Sequence, residues 1–221
     1  MAKYSRQIKN YDGKQAVHPI KDKRQLDDFM NYWLLKVETA KSAKKYYLAR
    51  RNWLLSLLGI NTAFRAEDLL QLRVKDVIKG YFSIVENKTK KIQNYKMNKK
   101  VHQAILEYVK EFNLTSTMYL FMGQKKKDKM PDGTVFKVIN PITRQQFHNL
   151  MQQVAEAINI NFKFGPHSLR KTYAYHFYKN GGSIITLMKM LNHDNTAYTL
   201  LYIEWDEYDV QKNREEFCLG V

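Results

Sequence analysis

The stretch "GPHSLRKTYAYHFYKNGG" occupies residues 165–182. A proline directly after a glycine suits the first position of a helix, where its missing N–H has no intrahelical partner in any case. The residues that follow read as helix over 167–179 and stop at the Gly181-Gly182 pair. On that helix His167 and Arg170 stand three residues apart and share a face. The guanidinium offers a planar fork of donors matched to two phosphate oxygens. The imidazole beside it can donate a hydrogen bond or move a proton near neutral pH. Taken alone, His-x-x-Arg is short and common, and a structural histidine beside a surface arginine explains it equally well.

Working downstream, "LMKMLNHDNTAYTLLYI" (187–203) places His193 between two helical segments, 183–191 and 195–203, and Tyr202 among Leu200, Leu201 and Ile203. A tyrosine among aliphatics is ordinarily core. A phenol is also a nucleophile towards phosphorus, and its reference pKa of about 10 makes it a good enough leaving group for the bond to be reversed. Upstream, "INTAFRAEDLLQLRVKDV" (60–77) sets Arg65 just after a helix break, which Gly59, Asn61 and Thr62 announce, with Asp68 three residues on. "VENKTKKIQNYKMN" (85–98) carries Lys88, Lys90 and Lys91 in or beside a turn between two predicted strands. Each of these has a plain alternative: a cap-region cation for Arg65, a solvated turn for the lysines.

The rest of the chain fits around these pieces. "QLDDFMNYWLLKVETA", "SAKKYYLARRNWLLSLLGI" and "KKVHQAILEYVKEF" carry apolar residues at helical spacing, "RAEDLLQLRVKDV" reads as one short helix, and a long helix is predicted over about 141–158. "GQKKKDKMPDGTVFKVIN" (123–140) reads as a basic loop around a Pro-Asp-Gly turn, with Lys125, Lys126 and Lys127 offered to a polyanion. The fold class is therefore mainly α with a small antiparallel β-sheet (α+β). Residues 1–20 are basic and aperiodic and read as a flexible arm, 21–205 as the folded domain, and 206–221 as a C-terminal tail.

Bulk properties agree with a nucleic-acid partner. The chain has 221 residues, 37 Lys+Arg against 21 Asp+Glu, and a formal charge of +16. Its longest apolar run, "WLLSLLGI" (53–60), is far short of the roughly 20 residues that span a bilayer. "MAKYSRQIKN" has no apolar signal region, and the single cysteine, Cys218, rules out an intrachain disulfide framework and a cysteine zinc site. Both features suit a cytoplasmic protein.

Jointly the polar positions are more specific than any one of them. The order Arg65, hairpin lysine, His167-x-x-Arg170, His193 and Tyr202 resembles the tyrosine recombinase (phage integrase) family, over residues 50–205. The resemblance implies that Arg65 and Arg170 clamp the non-bridging oxygens of a scissile DNA phosphate and that His193 hydrogen-bonds it. It implies that His167 assists proton transfer at the attacking hydroxyl, and that Tyr202 attacks to leave a 3′-phosphotyrosyl link. Lys88 is the best match to the lysine that protonates the departing 5′ oxygen, with Lys90 its rival, and Asp68 is expected in a supporting role. Lys90, Lys91, Lys125, Lys126, Lys127 and Lys171 are expected to contact DNA.

Such chemistry needs no metal and no cofactor, and the sequence has neither a Gly-rich phosphate loop nor carboxylates spaced for two Mg²⁺ ions. The partners implied are double-stranded DNA and further copies of the chain: a monomer in solution, a dimer or tetramer on DNA. Two departures stand out, Ala63 and Asn192, where many members have glycine. With about 45 residues ahead of the matched region, the chain resembles the short fimbrial-switch invertases. The alternatives are a type IB topoisomerase-like activity, which the same residues could support, and a DNA-binding regulator on the same fold, which would have no need of Tyr202.

Overall fold

The computed structural model describes residues 16–85, 92–129, 135–205, 215 and 218. Helices dominate, and the first two and several later ones begin at a side-chain cap. The first, α1 (Lys23–Glu38), starts at Asp22, whose carboxylate accepts the Gln25 N–H at 2.8 Å. Helix α2 (Ala43–Asn61) starts at Ser42 in the same way. Two short helices follow, α3 (Ala66–Leu70) and α4 (Val74–Val77), where a single helix was expected. The split at Gln71–Arg73 lets Leu72 and Arg73 bond to the chain at 119–120.

Strands β1 (Tyr81–Val85) and β2 (Ile92–Lys96) form an antiparallel pair in the register Tyr81 to Lys96. Helix α5 (Lys99–Glu111) buries Val101, Ala104, Ile105 and Tyr108, one stripe at helical spacing. Next come β3 (Met122–Lys129) and β4 (Val135–Pro141), a second antiparallel pair. The expected basic loop is therefore largely a ribbon, and the chain has two two-stranded sheets among its described residues rather than one.

Pro141 ends β4, so α6 (Arg144–Ala157) begins three residues later than predicted, at a capping box of Thr143 and Gln146. Helices α7 (Pro166–Lys179), α8 (Ile184–Met190) and α9 (Thr196–Tyr202) fall where the sequence placed them. Among the described residues no helix is long and apolar enough to cross a membrane.

Two apolar clusters organise the helices. The larger contains Phe29, Leu54, Leu58, Ile105, Tyr108, Phe147 and Leu169, and joins α1, α2, α5, α6 and the first turns of α7. The smaller contains Ala63, Ala174, Leu187, Leu191, Tyr202 and Ile203, and seats α8 and α9 on α7. Gly59 does not break α2. It lies inside the last turns, and a Cβ there would stand 2.5 Å from Leu169 Cδ1, so its smallness lets α2 and α7 meet.

Residues 16–20, predicted as part of an arm, pack into the body. Ala16 and Ile20 are buried, the Ile20 N–H donates to Thr172 Oγ1 at 2.9 Å, and its carbonyl bonds the His176 ring. The rest of that segment, and all of the tail except Glu215 and Cys218, lie outside the described residues.

Candidate active site

Helix α2 stops because its own side chains take its last carbonyls: Asn61 Nδ2 donates to Leu57 and Thr62 Oγ1 to Leu58. The chain then runs extended through buried Ala63 and Phe64 to Arg65, the N-cap residue of α3. Phe64 packs against Phe82 and Tyr95, and the Tyr95 hydroxyl donates to the Asn61 carbonyl at 3.1 Å. The β1–β2 pair is thus fastened to the segment that presents Arg65. The residues joining those strands, with Lys88, Lys90 and Lys91, lie outside the described residues. Asp68 is buried in the first turn of α3, where a carboxylate favours the helix dipole.

The other side of the site is built on α7. Arg170 is only 2% exposed, and its Nη2 donates to the Leu191 carbonyl at 2.7 Å. Leu191 is the C-cap of α8, and the turn after it is a Schellman motif: Asn192 N–H to Lys189, His193 N–H to Met188. That turn requires a left-handed residue, and Asn192 supplies it at φ 50°. Here the asparagine does the backbone work of a glycine. It delivers His193 to the pocket and leaves the Leu191 carbonyl facing Arg170. Ala63, the other departure, packs in the small cluster with Tyr202.

His193 Nδ1 lies 3.1 Å from Thr199 Oγ1. The Thr199 hydroxyl stands within reach of both Nδ1 and the Asn195 carbonyl; when it donates to Nδ1, the ring proton sits on Nε2 and His193 presents an N–H donor. The Tyr202 ring stands edge-to-face between two imidazoles, 5.3 Å from His167 and 4.9 Å from His193. Burial pushes its phenol up to about 12, against which the nearby Arg170 and Arg65 charges pull it down.

His167 is held below the ordinary histidine range by the protein crowded round it and then by Arg170, Lys171, Arg65 and His193. Its surface is nevertheless open to solvent, which blunts the desolvation. At pH 7 the ring is still neutral and can accept a proton.

Five of the six predicted catalytic residues thus converge: Arg65, His167, Arg170, His193 and Tyr202. Lys171 does not join a DNA-facing surface. It is buried on α7, with Nζ 3.3 Å from Glu204 and 5.4 Å from the Tyr202 ring centre. Lys125, Lys126 and Lys127 fall on β3. Sequence reading missed Thr199 and Glu204; the Asn-Thr-Ala-Tyr-Thr run hinted at the first, and nothing local signalled the second. Two guanidiniums, two imidazoles and a phenol suit a tetrahedral phosphodiester, which gains negative charge on its free oxygens as it is attacked. Among the described residues, no group of three His, Cys, Asp or Glu is placed to hold a metal ion.

Comparison with known proteins points the same way. Residues 24–208 match the phage integrase family. The probable integrase/recombinase YoeC of Bacillus subtilis (strain 168) is 33% identical over 174 residues, spanning 77% of this chain and 88% of that protein. The tyrosine recombinase XerD of Staphylococcus saprophyticus is 26% identical over 211 residues, spanning 88% of this chain but 63% of its own length. Among solved structures, the XerH site-specific recombinase in a post-cleavage complex with its palindromic difH substrate superposes with a TM-score of 0.66 at 20% identity, covering 93% of this chain and 55% of that one. The catalytic domain of bacteriophage HP1 integrase gives 0.53 at 13% identity, covering 90% and 95%. At these identities the superpositions establish the fold.

Proposed function

The chain belongs to the phage integrase family, and from that membership we propose that it is a site-specific DNA recombinase working through a 3′-phosphotyrosyl intermediate. The observation that carries this reading is the convergence of Arg65, Arg170, His167 and His193 on the Tyr202 phenol.

In the proposed reaction the Tyr202 oxygen attacks the scissile phosphorus as His167 accepts the phenolic proton. Arg65, Arg170 and His193 stabilise the charge growing on the non-bridging oxygens. The phosphorus–5′-oxygen bond breaks, and that oxygen takes a proton from Lys88, or from Lys90. The phosphodiester energy stays in the protein–DNA bond, so a 5′ hydroxyl from another strand can reverse the sequence. Asp68 holds the α3 turn behind Arg65. No metal or cofactor enters any step.

Double-stranded DNA is the proposed partner, and the net charge of +16 supports it. The hairpin lysines Lys90 and Lys91 and the β3 lysines Lys125, Lys126 and Lys127 would make backbone contacts. We take the protein to be a cytoplasmic monomer that forms a dimer or tetramer on DNA, with the 206–221 tail docking on a neighbour. The narrower likeness to fimbrial-switch invertases predicts inversion between inverted sites. Substrates with sites in direct and inverted orientation decide that point.

The reading itself is tested with a suicide DNA substrate, nicked next to the cleavage point. Wild type should accumulate a covalent adduct and Tyr202→Phe none. An adduct that survives Tyr202→Phe overturns the assignment.

A further inference from the structure

Two residues beyond Tyr202 the chain does something costly. Glu204 takes a left-handed backbone at φ 57°, a region that residues with a Cβ avoid. It is the residue that ends α9: its N–H bonds the Leu201 carbonyl, and the next N–H, of Trp205, bonds Leu200. A glycine would fill this backbone role with less strain, so the glutamate side chain invites its own explanation.

That side chain is 8% exposed and gathers two lysines and a histidine. Oε1 lies 2.8 Å from His18 Nδ1 and 3.3 Å from Lys171 Nζ, and Oε2 lies 3.3 Å from Lys21 Nζ. The three come from separate places. Lys171 is on α7, next to Arg170; His18 and Lys21 lie in the segment that leads into α1. That segment is itself fixed, since the His18 N–H donates to Lys163 and Ile20 bonds Thr172 and His176. Trp205 adds an apolar contact, its ring edge-to-face with Tyr178 of α7 at 5.0 Å.

We propose that Glu204 is a positioning residue for Tyr202: one carboxylate ties the end of the tyrosine helix to α7 and to residues 18–21, and so holds the phenol in its own subunit's pocket. The same bond answers the Lys171 charge, which would otherwise stand buried and unmatched below the tyrosine ring. Helix α9 is only seven residues long and would not hold its place by helix propensity alone. Its outer face exposes Tyr198 and Leu201, so its docking rests on the inner face and this end. Side chains that anchor through 186 and 33 residues of sequence separation fix a geometry that local packing does not.

The inference rests on Tyr202 being the nucleophile, and its test separates the two ideas. Hydrogen exchange of the amides in 196–205 is measured on the full chain without DNA. Single-turnover cleavage of the suicide substrate is measured at saturating DNA, with DNA affinity determined alongside. Glu204→Gln and Glu204→Gly should both speed exchange in α9 and slow cleavage roughly 10- to 100-fold, with affinity within about twofold of wild type. Glu204→Asp should recover part of the rate. Glu204→Gly matters most, because it keeps the left-handed turn while removing the whole side chain. Wild-type exchange and wild-type cleavage in Glu204→Gly would overturn the proposal.

If Glu204→Gln weakens the fold by stranding Lys171, the double variant with Lys171→Met removes both charges. A stable double variant with wild-type exchange would equally refute the latch. A wild-type protein that forms no adduct would count against the proposed function, while the exchange data still judge the latch.

Discussion

Asn192 offers the sharpest link between one backbone angle and the chemistry. Its φ of 50° closes the Schellman turn that carries His193 and sets the Leu191 carbonyl against Arg170. Asparagine visits this region more readily than most residues, glycine more readily still, and a β-branched residue hardly at all. The Asn192 amide nitrogen is buried without a hydrogen-bond partner among the described residues, so glycine forfeits no bond from that atom. Asn192→Gly should therefore be neutral or stabilise by up to about 1 kcal/mol, whereas Asn192→Val should cost about 1–2 kcal/mol. For a chain of this size each kcal/mol moves the melting temperature by roughly 2–4 °C.

The catalytic effect should exceed the thermal one. A bond from a buried guanidinium to a carbonyl is worth about 1.5–3 kcal/mol, and a misdirected Arg170 would slow cleavage by up to about 100-fold. The assay is single-turnover cleavage of the suicide substrate, at least about 10 °C below the melting temperature of Asn192→Val (on the scale of shifts just given). Equal cleavage by the Gly and Val variants would refute this account of the turn.

Four further expectations concern other parts of the chain. Gly59→Ala gains up to about 1 kcal/mol of helix propensity but drives a methyl into Leu169, and overpacking of about 1–3 kcal/mol should win, lowering the melting temperature. His167 has a folded pKa below its unfolded value, so its contribution to stability is present above pH 6.5 and is lost as pH falls towards the folded value. Denaturant melts of wild type and His167→Gln between pH 7 and 4 should show a shallower acid loss in the variant. Tyr202 has the opposite sign: with its phenol raised to about 12, its contribution is full below pH 10 and fades as pH climbs through 12, and ultraviolet titration of wild type against Tyr202→Phe should show one late-ionising tyrosine missing. DNA affinity should fall steeply with salt, by about 10³-fold or more between 50 and 200 mM if six or more phosphates are contacted; a flat response would contradict the use proposed for the charge excess.

What the sequence disclosed, it disclosed locally. Helix α5 was legible because Val101, Ala104, Ile105 and Tyr108 repeat at helical spacing, and α7 because Pro166 and the Gly181-Gly182 pair punctuate it. The β3–β4 ribbon was not, since "KKKDK" has no alternation of apolar and polar residues to mark a strand. Gly59 was misread as a stop because a close helix contact and a helix end ask for the same residue. The polar residues from Arg65 to Tyr202 were read as a set, and five of them lie together in the fold. Lys171 was misplaced for the opposite reason. Read singly, it is one more cation in a basic chain, and only Glu204, 33 residues away, turns it inward. Ile20 likewise looked like part of a polar arm until Thr172 and His176 met its backbone.

The central claim is that Tyr202 is the residue that becomes joined to DNA. Tyr198 is the rival to exclude. It lies one turn earlier on α9, is 46% exposed, and stands 4.6 Å from the His193 ring. The most direct measurement traps the adduct on a suicide substrate, trims the DNA with nuclease, and sequences the modified tryptic peptide by mass spectrometry. Cleavage after Lys189 and Lys212 leaves 190–212, which holds Tyr198, Tyr202 and Tyr208. Fragment ions that place the nucleotide mass on Tyr202 are the predicted result; the same mass on Tyr198 or Tyr208 would contradict the account.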